Sequence, residues 1–259
     1  MNAGVSDHPE KIAKGGTSDL FAFDQNRVVK LLHPRFPRSN AQLEFEITSA
    51  LATNGIPAPA VFEVVERDGR FGIVFERVDG VSLLQLVERK PWKLFYAARL
   101  LAELHAQVHQ YTAPKTLPSQ RQQLERWLTN ALDFTVDQRR AAEASLLLVP
   151  QGTAICHGDF HPGNILLTRR GPVIIDWSTG TQGDPLVDVA RTAALFEEAN
   201  LPPGSPWYMR LLLALARRLL YRAYLDRYFR LRGGTREEIL RFLPVQRAAT
   251  SAWRCTHPD

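Results

Sequence analysis

Apolar and polar positions change period several times along the chain. Leu20–Phe23, Arg27–Leu32, Val61–Glu66 and Phe71–Glu76 are short β-branched or aromatic runs, and Asp24-Gln25-Asn26 and Arg67-Asp68-Gly69 read as the hairpin turns between them. Between the second and third runs, Leu43, Ile47, Ala50 and Leu51 recur at helical spacing. Ser39 or Asn40 is placed to cap that helix, and Asn54-Gly55 followed by Pro57 and Pro59 to stop it. Beyond Asp79-Gly80 helical patterns dominate: Leu94, Ala98, Leu101, His105 and Val108 mark one amphipathic helix, and others cover about 119–131 and 137–148. Strand character returns in Thr153–Cys156, Ile165–Thr168 and Val173–Ile175, before helices at about 186–199, 206–231 and 235–253. The expected class is α+β with two lobes: a small β-rich N-lobe at 1–78 and a larger, mostly helical C-lobe at 79–259, hinged at Asp79-Gly80.

Composition agrees with this reading and narrows it. With 259 residues, 45% hydrophobic and 23% charged, the chain can bury a proper core. Apolar runs such as Leu211–Ala216 are cut by arginines well short of the ~20 residues a membrane span needs, so no membrane partner is expected. Met1–Lys14 lack the apolar segment of a secretory signal, and Cys156 and Cys255 are too few for a disulfide framework. A reducing cytoplasm is the expected location. The net charge of +5 is uneven, because eleven arginines against three acids give Ser205–Arg254 a charge of +8. No zinc-finger, RNP or basic-zipper signature accompanies that charge, so a solvated arginine face is expected rather than a nucleic-acid site. No protein partner is indicated.

The densest polar cluster is His157-Gly158-Asp159-Phe160-His161-Pro162-Gly163-Asn164, wedged between two apolar runs. Twelve residues beyond Asn164, Asp176 ends a further apolar run, and a hairpin over 165–175 would return its carboxylate to the same end. An amide oxygen and a carboxylate are hard donors that suit Mg²⁺, which takes few protein ligands and completes its shell with water and phosphate oxygens. Asp159, on the same loop, is where a base for an attacking hydroxyl belongs. Lys30 ends the run Arg27-Val28-Val29-Lys30 and faces inward if Val28 does; an acidic helix residue such as Glu44 could hold it against phosphates.

These residues carry a family resemblance. H-G-D-x-x-x-x-N followed by I-I-D-W resembles the catalytic core of the aminoglycoside phosphotransferase and choline kinase-type family, relatives of the protein kinases, over about residues 11–190. The resemblance implies a protein kinase-like fold and transfer of the γ-phosphate of Mg-ATP, GTP not being excluded, to a hydroxyl of a small molecule. Asp159 would orient and deprotonate that hydroxyl, Asn164 and Asp176 would hold Mg²⁺, and Lys30 would contact the α- and β-phosphates. Glu44 would be the lysine's partner, with Glu46 as the alternative. Main-chain groups of Glu76 and Val78 would meet the adenine, and Asp188 would brace the catalytic loop. A catalytically inactive nucleotide-binding relative is the other reading.

The sequence departs from the protein-kinase pattern in three places. Lys14-Gly15-Gly16-Thr17-Ser18 is not G-x-G-x-x-G, so backbone amides and the hydroxyls of Thr17 or Ser18 would cover the phosphates. Gly158 stands where protein kinases carry the arginine of H-R-D, and Trp177-Ser178 stand for Phe-Gly, as in the small-molecule branch. Only seven residues separate Asp176 from Asp184-Pro185, too few for a peptide-docking activation segment.

Gly158-Asp159-Phe160-His161 also resembles the G-D-x-H element of dinuclear metallophosphoesterases, but the further D-x-H, G-N-H and G-H-x-H elements that class needs to bind two metals are absent. His157 is expected to brace the loop and His105 to be a satisfied core histidine, with His161 left open. Trp127, Trp207 and Trp253 are expected to pack between helices. If several of Arg210, Arg217, Arg218, Arg222 and Arg227 faced the acceptor, a neutral or anionic compound would suit it better than a polycation.

Overall fold

The structure is a computed structural model that describes residues 10–131, 134–198 and 206–256. The amino-terminal residues 1–9 and the side chains of Trp253 and Cys255 lie outside the described residues. The chain divides into two compact units. The first runs to Gly80, two residues past the expected boundary, and also takes in Leu166–Ser178. The second comprises Val81–Ile165 and Thr179–Thr256, so it is not the uninterrupted 79–259 expected from the sequence.

The first unit is built on β1 (Lys11–Lys14), β2 (Ser18–Ala22), β3 (Arg27–Leu32), α1 (Arg38–Thr53), β4 (Val61–Arg67) and β5 (Arg70–Glu76). The strands form an antiparallel sheet in the order β1-β2-β3-β5-β4. Its turns follow local chemistry: Asp24 Oδ1 accepts the N–H groups of Asn26 and Arg27, and Asp68 adopts φ 52° beside Gly69. The central strand β3 is paired on both edges and covered on both faces. Val28 and Leu32 pack with Ala41, Ile73 and Phe75, whereas Val29 and Leu31 pack with Val74. Alternation along the strand therefore puts Lys30 on the face of Val28 and Leu32, toward α1.

Helix α1 begins at Arg38 with Pro37 as N-cap and no side-chain cap. The expected caps Ser39 and Asn40 lie inside its first turn, because the extended Pro37 (φ −72°, ψ 164°) already sets the entry of the chain.

The second unit opens with β6 (Val81–Ser82) and α2 (Leu83–Arg89), where Ser82 and Gln85 form a reciprocal capping box. There follow α3 (Leu94–Val108), α4 (Gln120–Asn130), α5 (Val136–Leu147) and β7 (Ala154–Cys156). A hairpin of β8 (Ile165–Thr168) and β9 (Gly171–Ile174) supplies the Leu166–Ser178 part of the first unit. The Ile174 N–H donates to Pro57 O at 2.7 Å, fixing this hairpin to the segment after α1.

Beyond it, β10 (Thr181–Gly183) pairs antiparallel with β7, and α6 (Pro185–Glu198), α7 (Trp207–Arg232) and α8 (Arg236–Thr256) complete the second unit. Asp184 caps α6 through the N–H groups of Leu186 and Val187. Helices α3 and α7 pack side by side and run parallel, with His105 against Tyr224 and His109 against Tyr228. Among the described residues no helix is long and apolar enough to cross a membrane.

Candidate active site

In the first unit, strand β3 and helix α1 bring Lys30 and Glu44 together. Lys30 Nζ donates to Glu44 Oε1 and Oε2 at 2.8 and 3.1 Å, and to Asp176 Oδ1 at 2.9 Å. Glu44 is buried, whereas Glu46 is exposed and accepts from Gln42, so the pairing falls on the residue the sequence preferred. Burial alone would lower the Lys30 pKa, but the Asp176 and Glu44 carboxylates raise it above its ordinary value. Burial, reinforced by the Asp176 charge and opposed by Lys30, pushes Glu44 up. One ammonium thus serves two carboxylates, and it stays charged.

Asp176 lies just past β9 with φ 62°, a left-handed conformation uncommon outside glycine. Its Oδ1 also accepts the Ser178 hydroxyl at 2.8 Å, and its side chain is 38% exposed. A strained backbone that presents a half-open carboxylate is typical of a functional position.

The other expected nucleotide residues sit in the same unit. Thr17 ends the β1–β2 turn and Ser18 begins β2, and Thr17 O accepts from His33 N while Ser18 O accepts from Gly15 N. Glu76 ends β5, and its N–H is committed to Ala60 O at 2.8 Å. Its carboxylate accepts the Ala60 N–H and pairs with Arg170, a bracing role the sequence did not reveal. Val78 follows in the segment without regular structure before Gly80 and is half-buried.

In the second unit, the loop after β7 is fixed from below by Asp188, in the first turn of α6. Asp188 Oδ2 accepts the His157 N–H at 2.7 Å, and Oδ1 accepts the Gly158 N–H at 2.9 Å. Gly158 has φ 77°, and a Cβ there would lie 2.6 Å from Thr179 O, so only glycine fits this turn. His157 Nδ1 then accepts the Asp159 N–H at 3.2 Å, which is the bracing role expected of it.

Asn164 Nδ2 donates to Asp159 O and Oδ2 at 2.9 and 3.1 Å. His161 adds a contact the sequence left open: its Nδ1 accepts from Gly163 N at 3.0 Å, and its Nε2 lies 3.5 Å from Asp159 Oδ2. A Cβ at Gly163 would come within 2.7 Å of the His161 ring, so a side chain there would displace that ring. Asp159 is therefore oriented from both sides while its side chain remains 31% exposed.

His105 is fully buried, as expected, and bonded through both ring nitrogens. Trp207 corrects the sequence reading. It was expected to pack between helices, yet it is 75% exposed, and residues 206–212 around it are exposed as well. Trp127 does pack, with the Arg191 guanidinium 5.6 Å from its ring centroid. Among the arginines of α7, Arg210, Arg218 and Arg222 are exposed, Arg217 donates to Glu197 O, and Arg227 pairs with Glu103 of α3.

The donor chemistry fits Mg²⁺. Within its own unit, Asp176 offers a half-open carboxylate; within the other, the Asn164 amide nitrogen is engaged by Asp159, so its oxygen stays an acceptor, and both are hard donors of the kind Mg²⁺ takes.

A strand lysine paired with a helix glutamate, a braced H-G-D loop and a hairpin ending in an aspartate define a kinase-like phosphotransferase fold. Residues 10–237 match the sequence model of the phosphotransferase enzyme family, and the chain belongs to that family. Among solved structures, it resembles an aminoglycoside-3'-phosphotransferase of type VIII, with a TM-score of 0.66 at 21% identity over 93% of this chain and 91% of that one.

An aminoglycoside phosphotransferase APH(4)-Ia in complex with AMP-PNP and hygromycin B gives 0.61 at 18% identity, covering 97% and 92%. A choline/ethanolamine kinase family protein from Mesorhizobium loti gives 0.53 at 18% identity, covering 95% and 94%. Among curated proteins, acyl-CoA dehydrogenase family member 10 of Mus musculus is 27% identical over 185 residues, 63% of this chain. The match spans 17% of that longer protein.

Proposed function

We propose that this chain is an ATP-dependent small-molecule kinase that moves the γ-phosphate of Mg-ATP to an acceptor hydroxyl. The observation that carries the reading is the Lys30 ammonium, held 2.8 Å from Glu44 and 2.9 Å from Asp176 and so presented as a fixed cation for phosphate oxygens. Glu76 and Val78 are assigned to the adenine, and Thr17 and Ser18 to the phosphates. Asp176 of the first unit and Asn164 of the second are assigned to Mg²⁺, which supplies charge neutralisation on the β- and γ-phosphates.

In the transfer step the acceptor oxygen forms a bond to Pγ as the bond from Pγ to the bridging oxygen breaks. The hydroxyl proton passes to an Asp159 carboxylate oxygen, and ADP leaves with the bridging oxygen. The hydrogen bonds from Asn164 and the nearby His161 ring fix the direction of that carboxylate. A small acceptor is supported by the segment between Asp176 and Asp184, three of whose residues form β10 and pair with β7. Little chain remains there to dock a peptide.

The test is ADP release from Mg-ATP across sugars, amino alcohols, nucleosides and antibiotics, with phosphorylated product identified by mass. Acceptor-dependent release in the parent and its loss in Asp159→Asn are expected. ATP binding with no turnover on any of these acceptors would favour the inactive nucleotide-binding relative instead.

A further inference from the structure

Behind the catalytic loop lies a buried cluster that the proposed transfer step does not use. Helix α3 contributes His105, its C-cap His109 lies one turn further on, and α7 contributes Tyr224 and Tyr228 at the same spacing. All four are buried. Tyr224 Oη lies 2.7 Å from His105 Nδ1 and Tyr228 Oη 2.6 Å from His109 Nδ1. On the opposite side of the rings, His105 Nε2 and His109 Nε2 lie 3.0 and 3.2 Å from the same oxygen, Asp188 Oδ2. That carboxylate also receives the His157 and Gly158 N–H groups, the turn that leads into Asp159.

The polarity of this network follows from one group. Each Asp188 oxygen accepts a backbone N–H, from His157 and Gly158, and although burial would raise its pKa the group is held well below the usual range, so it is a carboxylate and can only accept. Both Nε2 atoms must then carry hydrogen. A neutral imidazole with hydrogen on Nε2 has a lone pair on Nδ1, so the Tyr224 hydroxyl donates to His105, and Tyr228 stands in the same geometry to His109. His105 is neutral, its pKa driven down to about 3 by burial and by His109 against the pull of Asp188.

We propose that Tyr224 and Tyr228 are positioning residues that lock His105 and His109 in the Nε2–H tautomer and thereby fix the Asp188 carboxylate beneath the catalytic loop. The inference rests on Asp159 being the base. The two histidines and Asp188 also form a group with metal-ligand spacing, their ligand atoms all within 4.8 Å of one another. A metal would need the Nε2 lone pairs, which the lock removes, so the two readings predict opposite protonation at Nε2.

Removing one hydroxyl should loosen the lock. In Tyr228→Phe the His109 Nδ1 loses its donor, and the ring can move its proton to Nδ1, turning a lone pair toward Asp188. With one buried hydrogen bond lost, kcat should fall about three- to tenfold while the KM for ATP changes less than about twofold. In Tyr228→Phe/His109→Gln an amide N–H needs no tautomeric lock, and kcat should rise again above the single variant.

Nitrogen NMR of histidine-labelled protein gives a readout independent of turnover. The parent should show His105 and His109 protonated at Nε2 and bare at Nδ1, unchanged by EDTA, and Tyr228→Phe should shift His109 toward the other tautomer. A parent with bare Nε2, spectra that change on metal removal, or an unaltered His109 tautomer in Tyr228→Phe would overturn the lock. A parent that turns over no acceptor would instead count against the kinase reading, and the NMR result would still decide the tautomers.

Discussion

Nζ of Lys30 lies 2.9 Å from Oδ1 of Asp176, 146 residues further along the chain, while Glu44 holds the same nitrogen from the other side. The contact joins the central strand of the sheet to the end of a hairpin that lies far away in sequence but within the same compact unit. With two carboxylates on one ammonium, a divalent cation beside Asp176 would offset the excess negative charge and let the Lys30 ammonium meet the oxygens of a metal-bound phosphate.

Removing the ammonium should therefore cost stability as well as binding. Lys30→Met leaves buried Glu44 facing Asp176 with no cation between them, and breaking a buried pair in this way typically costs ~3–5 kcal/mol. In urea denaturation Lys30→Met should be destabilised on that scale, and Lys30→Met/Glu44→Gln should recover much of the loss without recovering turnover. A single variant as stable as the parent would remove the triad from the fold's supports.

Asp159→Asn preserves the shape of the loop and removes the base. Turnover should fall by ~10²–10⁴ while the rise in melting temperature with Mg-ATP persists. A variant within a few-fold of the parent would exclude proton transfer to Asp159.

Asp176→Asn tests the metal with little backbone penalty, since asparagine tolerates the left-handed φ of 62° found there. The Mg²⁺-dependent part of the ATP-induced rise in melting temperature should disappear, because only binding to the folded state stabilises it. If the Mg-ATP shift matches the parent's, the metal assignment fails.

What the sequence disclosed and what it concealed divide along physical lines. Lys30 was legible because alternation along β3 fixes its face, and Glu44 through the family resemblance, which implies a glutamate at that distance before the turn at Gly55. The H-G-D loop was legible because a polar run between two apolar strands cannot be buried as core without partners for its polar groups. Strand β1 was not, since Lys11–Lys14 is exposed along its whole length and an unburied edge carries no hydrophobic period. Helix α2 was passed over although Ser82 and Gln85 spell a capping box.

His109, Tyr224 and Tyr228 were missed as a group because their meeting depends on the parallel register of α3 and α7, which no local pattern encodes. The spacing of His105 and His109, with Tyr224 and Tyr228 repeating it, was the signal available. The hold of Glu76 on Arg170 had no local signal at all.

Burial of His105 makes folding sensitive to mild acid. Its folded pKa of about 3 lies below the unfolded 6.5, so as pH falls through 6.5 the unfolded chain takes up a proton that the folded protein refuses. The stability this histidine allows is complete above pH 6.5 and declines from there toward pH 3. Between pH 7.5 and 5.5 the loss from this one group should be about 1.4 kcal/mol. Asp188 does not contribute in that window, because its depressed pKa removes stability only below its ordinary 3.8. His33, also lowered by partial burial, adds a slope of the same sign, so the parent's total is not diagnostic on its own. The diagnostic quantity is the difference in slope between the parent and His105→Gln, measured by urea denaturation at the two pH values. The variant should be less stable at pH 7.5 yet lose less on acidification. Parallel slopes would mean that His105 takes up its proton inside the folded protein, and that the neutral, buried imidazole inferred from its partners is wrong.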